Sequence, residues 1–66
     1  MRKISIKAMR KRARLTQQEL AEKLNANQAT VSMWERGKNA PRARQLPIIA
    51  EVLNCSIDEL LREDDG

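Results

Sequence analysis

The chain has 66 residues, thirteen Lys or Arg against nine Asp or Glu, and a formal net charge of +4. That length allows one domain, residues 1–66, around one small core. Histidine, Phe and Tyr are absent and Cys55 is the only cysteine, which excludes an internal disulfide, an ordinary metal site and His-based catalysis. No cofactor and no enzymatic activity are expected. The basic start is followed by no apolar run, and the longest apolar stretch, 46–50, is too short to cross a bilayer. These features predict a cytoplasmic protein with no membrane partner.

Charge is unevenly placed. Seven of the thirteen basic residues lie in the first fourteen positions, and five of the nine acids lie in the last nine. This polarity suits an oriented approach to a polyanion, but a solvated face with a solubilising acidic tail would look the same.

The apolar residues recur at three- and four-residue intervals, and no strand-type alternation is present, so an all-α fold is expected: a compact bundle of five short helices. The first spans about 4–14, with Ile6, Met9 and Ala13 on its packing face and Arg10 at the border. Lys3, Lys7, Lys11 and Arg14 form a separate charged strip. Thr16 and Glu19 have capping-box spacing ahead of a second helix, 17–24, which buries Leu20, Ala21 and Leu24. Asn25 suits the left-handed residue of a tight turn. Asn27 caps a third helix, 28–36, and Gly37 closes it. Lys38 to Arg44 is a basic loop carrying Pro41. Pro47 belongs in a first turn, so a fourth helix is placed at 45–53, packing through Leu46, Ile49, Ala50 and Leu53. Asn54 ends it, and Cys55 is read as a small buried hydrophobe. Ser56 and Glu59 repeat the capping-box spacing before a fifth helix, 57–62, with Ile57, Leu60 and Leu61 apolar. Residues 63–66 read as an acidic, frayed tail.

Residues 17–36 meet several demands together. Ala21 is small where two helices cross, Asn25 occupies the turn, and Leu20, Leu24, Ala26, Val31 and Trp34 face the core. This is a helix-turn-helix unit, whose second helix lies in the major groove of duplex DNA. At 100° per residue, Val31 and Trp34 point inward, while Gln28, Ala29, Ser32, Met33 and Arg36 point outward. Trp34 is therefore a core residue rather than a base-stacking platform. Gln28 can pair with adenine through two hydrogen bonds, Ala29 and Met33 suit a thymine methyl, and Ser32 can bond several base edges. Gln17 lies in a helix first turn that favours an anion. Asn27, Arg36, Lys38, Arg42 and Arg44 surround the outward helix and are candidates for phosphate contact.

The chain resembles the phage-repressor (Cro-type, xenobiotic-response-element) helix-turn-helix family over roughly residues 4–61. The match is carried by Leu15-Thr16-Gln17-Gln18-Glu19-Leu20-Ala21-Glu22-Lys23-Leu24 and by Thr30-Val31-Ser32-Met33-Trp34-Glu35-Arg36-Gly37-Lys38. Pro41 and Cys55-Ser56-Ile57-Asp58-Glu59-Leu60-Leu61 extend it. The resemblance implies a lambda-repressor-like bundle of four or five helices that binds operator DNA, usually as a two-fold dimer. It further implies an ion pair between Arg10 and Glu35 beside the DNA backbone. The chain departs from the family pattern at Asn25 and Asn54, where glycine is usual, and at Met33, where a polar residue is common.

The expected function is a sequence-specific transcriptional regulator, a repressor, of prokaryotic or phage origin. Its partners would be a double-stranded operator and a second copy of itself. Gln45, Pro47, Ile57 and Glu59 are the candidate dimer surface. A second reading is an antitoxin or other protein-interaction module, in which the acidic tail and Ile48 would meet a basic partner.

Overall fold

The computed structural model describes residues 5–61. Ile4, Arg62 and the acidic tail at 63–66, which entered the expectations above, lie outside them. Five helices follow in order: α1 (Ile6–Arg12), α2 (Gln17–Lys23), α3 (Gln28–Glu35), α4 (Leu46–Val52) and α5 (Ile57–Leu60). No strand occurs among the described residues, and the expected all-α class is the one found. The start of α1 is held to the far end of the chain by the Ser5 backbone N–H, which donates to the Leu60 carbonyl at 2.8 Å.

Every helix supplies the core. Ile6, Leu20, Ala21, Val31, Trp34, Ile49, Ala50, Leu53 and Leu60 are buried, with Met9, Ala13, Leu15, Leu24, Leu46, Val52 and Cys55 partly buried against them. The spacing of these residues is the 3.6-residue period expected of short helices that each bury one stripe. The cluster is aliphatic around one indole, and it closes a body measuring 26 × 23 × 23 Å.

Side-chain caps mark the starts of α2, α3 and α5. Thr16 Oγ1 accepts from the Glu19 backbone N–H at 3.0 Å and Glu19 Oε1 from the Thr16 N–H at 2.8 Å. Ser56 and Glu59 repeat both bonds ahead of α5. Asn27 Oδ1 accepts from the N–H and hydroxyl of Thr30. Each bond satisfies a donor left free by the first turn.

The helix ends share one device as well. Arg14, Asn25, Gly37 and Asn54 have φ of 61°, 56°, 75° and 55°. After α1 the Leu15 N–H donates to the Arg10 carbonyl and the Arg14 N–H to the Lys11 carbonyl. The same pair of bonds recurs after α2, α3 and α4, so each ends in a Schellman motif closed by a left-handed residue. At Gly37 the missing Cβ makes that conformation inexpensive. The turns at Asn25, Gly37 and Asn54 are those expected from the sequence, whereas Arg14, expected inside a first helix spanning about 4–14, lies beyond α1 in the left-handed position.

Three expectations need correction. The fourth helix does not begin at Gln45: Ala43–Gln45 is a 3-10 turn, followed by α4 from Leu46. The Gln45 N–H donates to the Arg42 carbonyl at 2.8 Å, three residues back, which closes a 3-10 turn, and Pro47 falls in the first turn of α4, where no N–H is needed. The basic loop is correspondingly shorter, with Ala43 and Arg44 inside that turn, while Pro41 is buried. Second, the one-turn α5 buries only Leu60, leaving Ile57 at 39% and Leu61 at 49% exposure. The three share one side by helical spacing, but only Leu60 is covered by the rest of the core. Third, Cys55 is half-buried rather than fully enclosed. Burial pushes its thiol pKa up, and the Glu59 carboxylate adds to the effect, so the thiolate is disfavoured.

Candidate nucleic-acid interface

The outward face of α3 follows from two inward anchors. Val31 is 0% and Trp34 is 4% exposed, and those two positions fix the rotation of the helix. Gln28, Ala29, Met33 and Arg36 are then exposed and Ser32 is half-exposed. Together with Gln17 from the start of α2, these residues line a single shallow cleft: Gln17, Gln28, Ala29, Ser32, Met33 and Arg36. Eight helical residues extend about 12 Å, comparable with the width of a B-DNA major groove.

Behind the cleft lies a buried charge. Glu35 is only 7% exposed, and an isolated carboxylate at such a depth would carry a large desolvation cost. Arg10 meets it: Nε donates to Glu35 Oε2 at 2.6 Å and one terminal nitrogen donates to Oε1 at 3.1 Å. The other terminal nitrogen donates to the Leu15 carbonyl at 2.8 Å. Their side chains are 12% and 3% exposed. Among the described residues no buried side-chain nitrogen or oxygen lacks a partner.

The pair also reaches the surface. Gln17 Nε2 donates to Glu35 Oε1 at 3.0 Å, and Gln28 Nε2 donates to Gln17 Oε1 at 3.4 Å. A continuous chain of contacts therefore runs from Arg10 on α1, through Glu35 and Gln17, to Gln28 at the start of α3. Gln28 keeps its carbonyl oxygen and one amide hydrogen for an outside partner. No local sequence signal marks these two glutamine contacts, because they join residues 18 and 11 positions apart.

The remaining site residues fall into two groups. Lys38, Arg42 and Arg44 are exposed on the segment after α3, near the cleft in sequence but not among its lining. Asn27 is occupied in capping α3 through its side chain. Gln45, Pro47, Ile57 and Glu59 lie elsewhere. Gln45 Oε1 accepts from the Arg42 N–H, Pro47 and Ile57 are exposed, and Glu59 is bonded to Arg12 at 3.2 Å. No group of acidic, His or Cys side chains able to hold a metal occurs among the described residues. None of the described helices is long and apolar enough to cross a membrane.

Comparison with known proteins converges with this geometry. Residues 6–60 match the helix-turn-helix family. The HTH-type transcriptional regulator DicA of Escherichia coli is 37% identical over 60 residues, covering 91% of this chain and 44% of DicA. The HTH-type transcriptional activator BcrR of Enterococcus faecalis is 39% identical over 51 residues, covering 77% of this chain and 25% of BcrR. The chain thus spans between a quarter and a half of these relatives' lengths. A crystal structure of the P22 c2 repressor protein in complex with a synthetic operator superposes with a TM-score of 0.78 at 32% identity, covering 89% of each chain. By family match, relatives and fold, the chain belongs to the helix-turn-helix family, in its phage-repressor-like form.

Proposed function

We propose that the protein is a sequence-specific duplex-DNA binder that regulates transcription as a repressor, with α3 in the major groove. The observation that carries this reading is the division of α3, with Val31 and Trp34 buried and Gln28, Ala29, Ser32 and Met33 turned to one open cleft. The operator complex of the similar P22 c2 repressor supports it.

In this reading Gln28 pairs with an adenine, donating to N7 and accepting from N6. Its bond to Gln17 holds the amide in one orientation, which lowers the entropy lost on contact. Ala29 and Met33 touch thymine methyls and Ser32 bonds a base edge. Gln17, Asn27, Arg36, Lys38, Arg42 and Arg44 contact phosphates and set the register without reading sequence. Arg10 adds to the backbone contact and holds Glu35 and Gln17 in place. Two copies related by a two-fold axis read half-sites about 10 base pairs apart. Gln45, Pro47, Ile57 and Glu59 form the surface between them.

Selection of bound sequences from a random duplex pool tests the proposal. An inverted repeat with adenine-containing half-sites at that spacing is the expected product. A pool that emerges with no enriched motif contradicts sequence-specific reading.

A further inference from the structure

The ends of α1 to α4 pose the same steric problem and solve it with different residues. The left-handed position is Asn25 after α2, Gly37 after α3 and Asn54 after α4, but Arg14 after α1. Glycine has no Cβ to clash there, and asparagine tolerates the conformation through its short polar side chain. Arginine has neither property. Non-glycine residues held in that region concentrate where the side chain has work to do.

The surroundings of Arg14 indicate what that work is. The backbone on either side is fixed, because the Arg14 N–H donates to Lys11 and the next carbonyl, that of Leu15, accepts from Arg10. Arg14 itself is exposed. Lys7 lies one turn before Arg10 on α1 and Lys11 adjoins it, while Arg14 stands beyond the helix, in the turn that leads to Thr16 and the start of α2. Lys7 and Lys11 are exposed too, and none of the three side chains pairs with an acid among the described residues. The opposite flank is occupied differently: Arg12 reaches Glu59 at 3.2 Å and the Asn54 carbonyl at 3.5 Å. The Arg10 flank is the one joined to the groove-facing cleft, through Glu35, Gln17 and Gln28.

We propose that Arg14, together with Lys7 and Lys11, forms a second phosphate-contacting edge that grips duplex DNA beside the α3 cleft. The partner is the phosphate backbone, because three free cations on one edge complement a polyanion. The edge lengthens the footprint without adding base readout. This inference rests on the proposed DNA binding.

The test measures both stability and the salt dependence of affinity, using a mixed-sequence duplex of about 20 base pairs, two helical turns. Arg14→Gly relieves the left-handed strain and removes the cation, so its Tm should equal or exceed that of the parent. Its affinity should nevertheless fall several-fold, with the log–log salt slope less steep by about 0.9. Arg14→Lys should keep the parent's slope. An Arg14→Gly protein with the parent's affinity and slope overturns the phosphate contact, and one with a lower Tm overturns the strain argument. A parent protein that shows no salt-dependent duplex binding contradicts the proposed function instead, so the two failures are distinguishable.

Discussion

Arg10 and Glu35 set the energetic scale of single residues in this protein. Their mutual contacts offset the cost of taking a carboxylate out of water, and truncating one partner leaves the other buried and unpaired. Arg10→Met is therefore expected to lower unfolding stability by about 3–5 kcal/mol, read from urea denaturation. Adding Glu35→Met should recover part of that loss, because the stranded charge is then removed. A single variant as stable as the parent would show that the pair is not needed. Gln28 belongs to the same contact chain but should behave differently. Gln28→Ala leaves the fold intact, since the side chain is exposed, and should cost about 1–3 kcal/mol of discrimination at one base position. Competition binding with single-base operator variants checks this.

At the scale of the element, the two capping boxes give the helices a pH dependence. Glu19 is held below the usual carboxylate range by the Thr16 backbone N–H first, then by the Thr16 side chain. Glu59 is held down by the Ser56 backbone N–H and then by Arg12. A depressed folded-state pKa means that the unfolded chain binds more protons, so the stabilisation is present above the ordinary value of 4.5 and is lost as pH falls below it. Melting temperature should decline as pH drops from about 5 to 3, with a shallower decline in a Glu19→Gln, Glu59→Gln protein. A decline of unchanged steepness would place the acid sensitivity elsewhere. Thr16→Ala removes the other half of one box and should cost about 1 kcal/mol at neutral pH, measured by thermal unfolding.

These caps were legible in the sequence because they are local: Thr16 and Glu19, or Ser56 and Glu59, are three residues apart and need no tertiary context. The rotation of α3 was legible for a similar reason, since Val31 and Trp34 share one face at helical spacing. What the sequence did not reveal depends on distant partners or on competition between neighbours. The Gln17–Glu35 and Gln28–Gln17 contacts join separate helices. The 3-10 turn at Ala43–Gln45 is closed by bonds between Arg42 and Gln45, which compete with an α-helical start at Gln45. The left-handed conformation at Arg14 contradicts the preference of its side chain, so only the backbone geometry exposes it. The exposure of Ile57 and Leu61 depends on which elements cover that face of α5, and local spacing does not carry that information.

At the scale of the whole molecule, the other four described helices hold α3 in a body about 25 Å across. The rigid display of one helix face is what this packing accomplishes. Paired copies on a palindromic operator should form a two-to-one complex, seen by analytical ultracentrifugation, and a stable one-to-one complex would contradict the dimer. In the proposed complex the outward face of α3 meets DNA while its inward face stays packed. Backbone amide chemical shifts followed by NMR during titration with duplex DNA test it most directly. The largest changes are expected at Gln28, Ala29, Ser32 and Met33 and at Gln17, with Ile49 and Leu53 of the core nearly still. Changes concentrated on α4 and α5, with α3 unmoved, would contradict it.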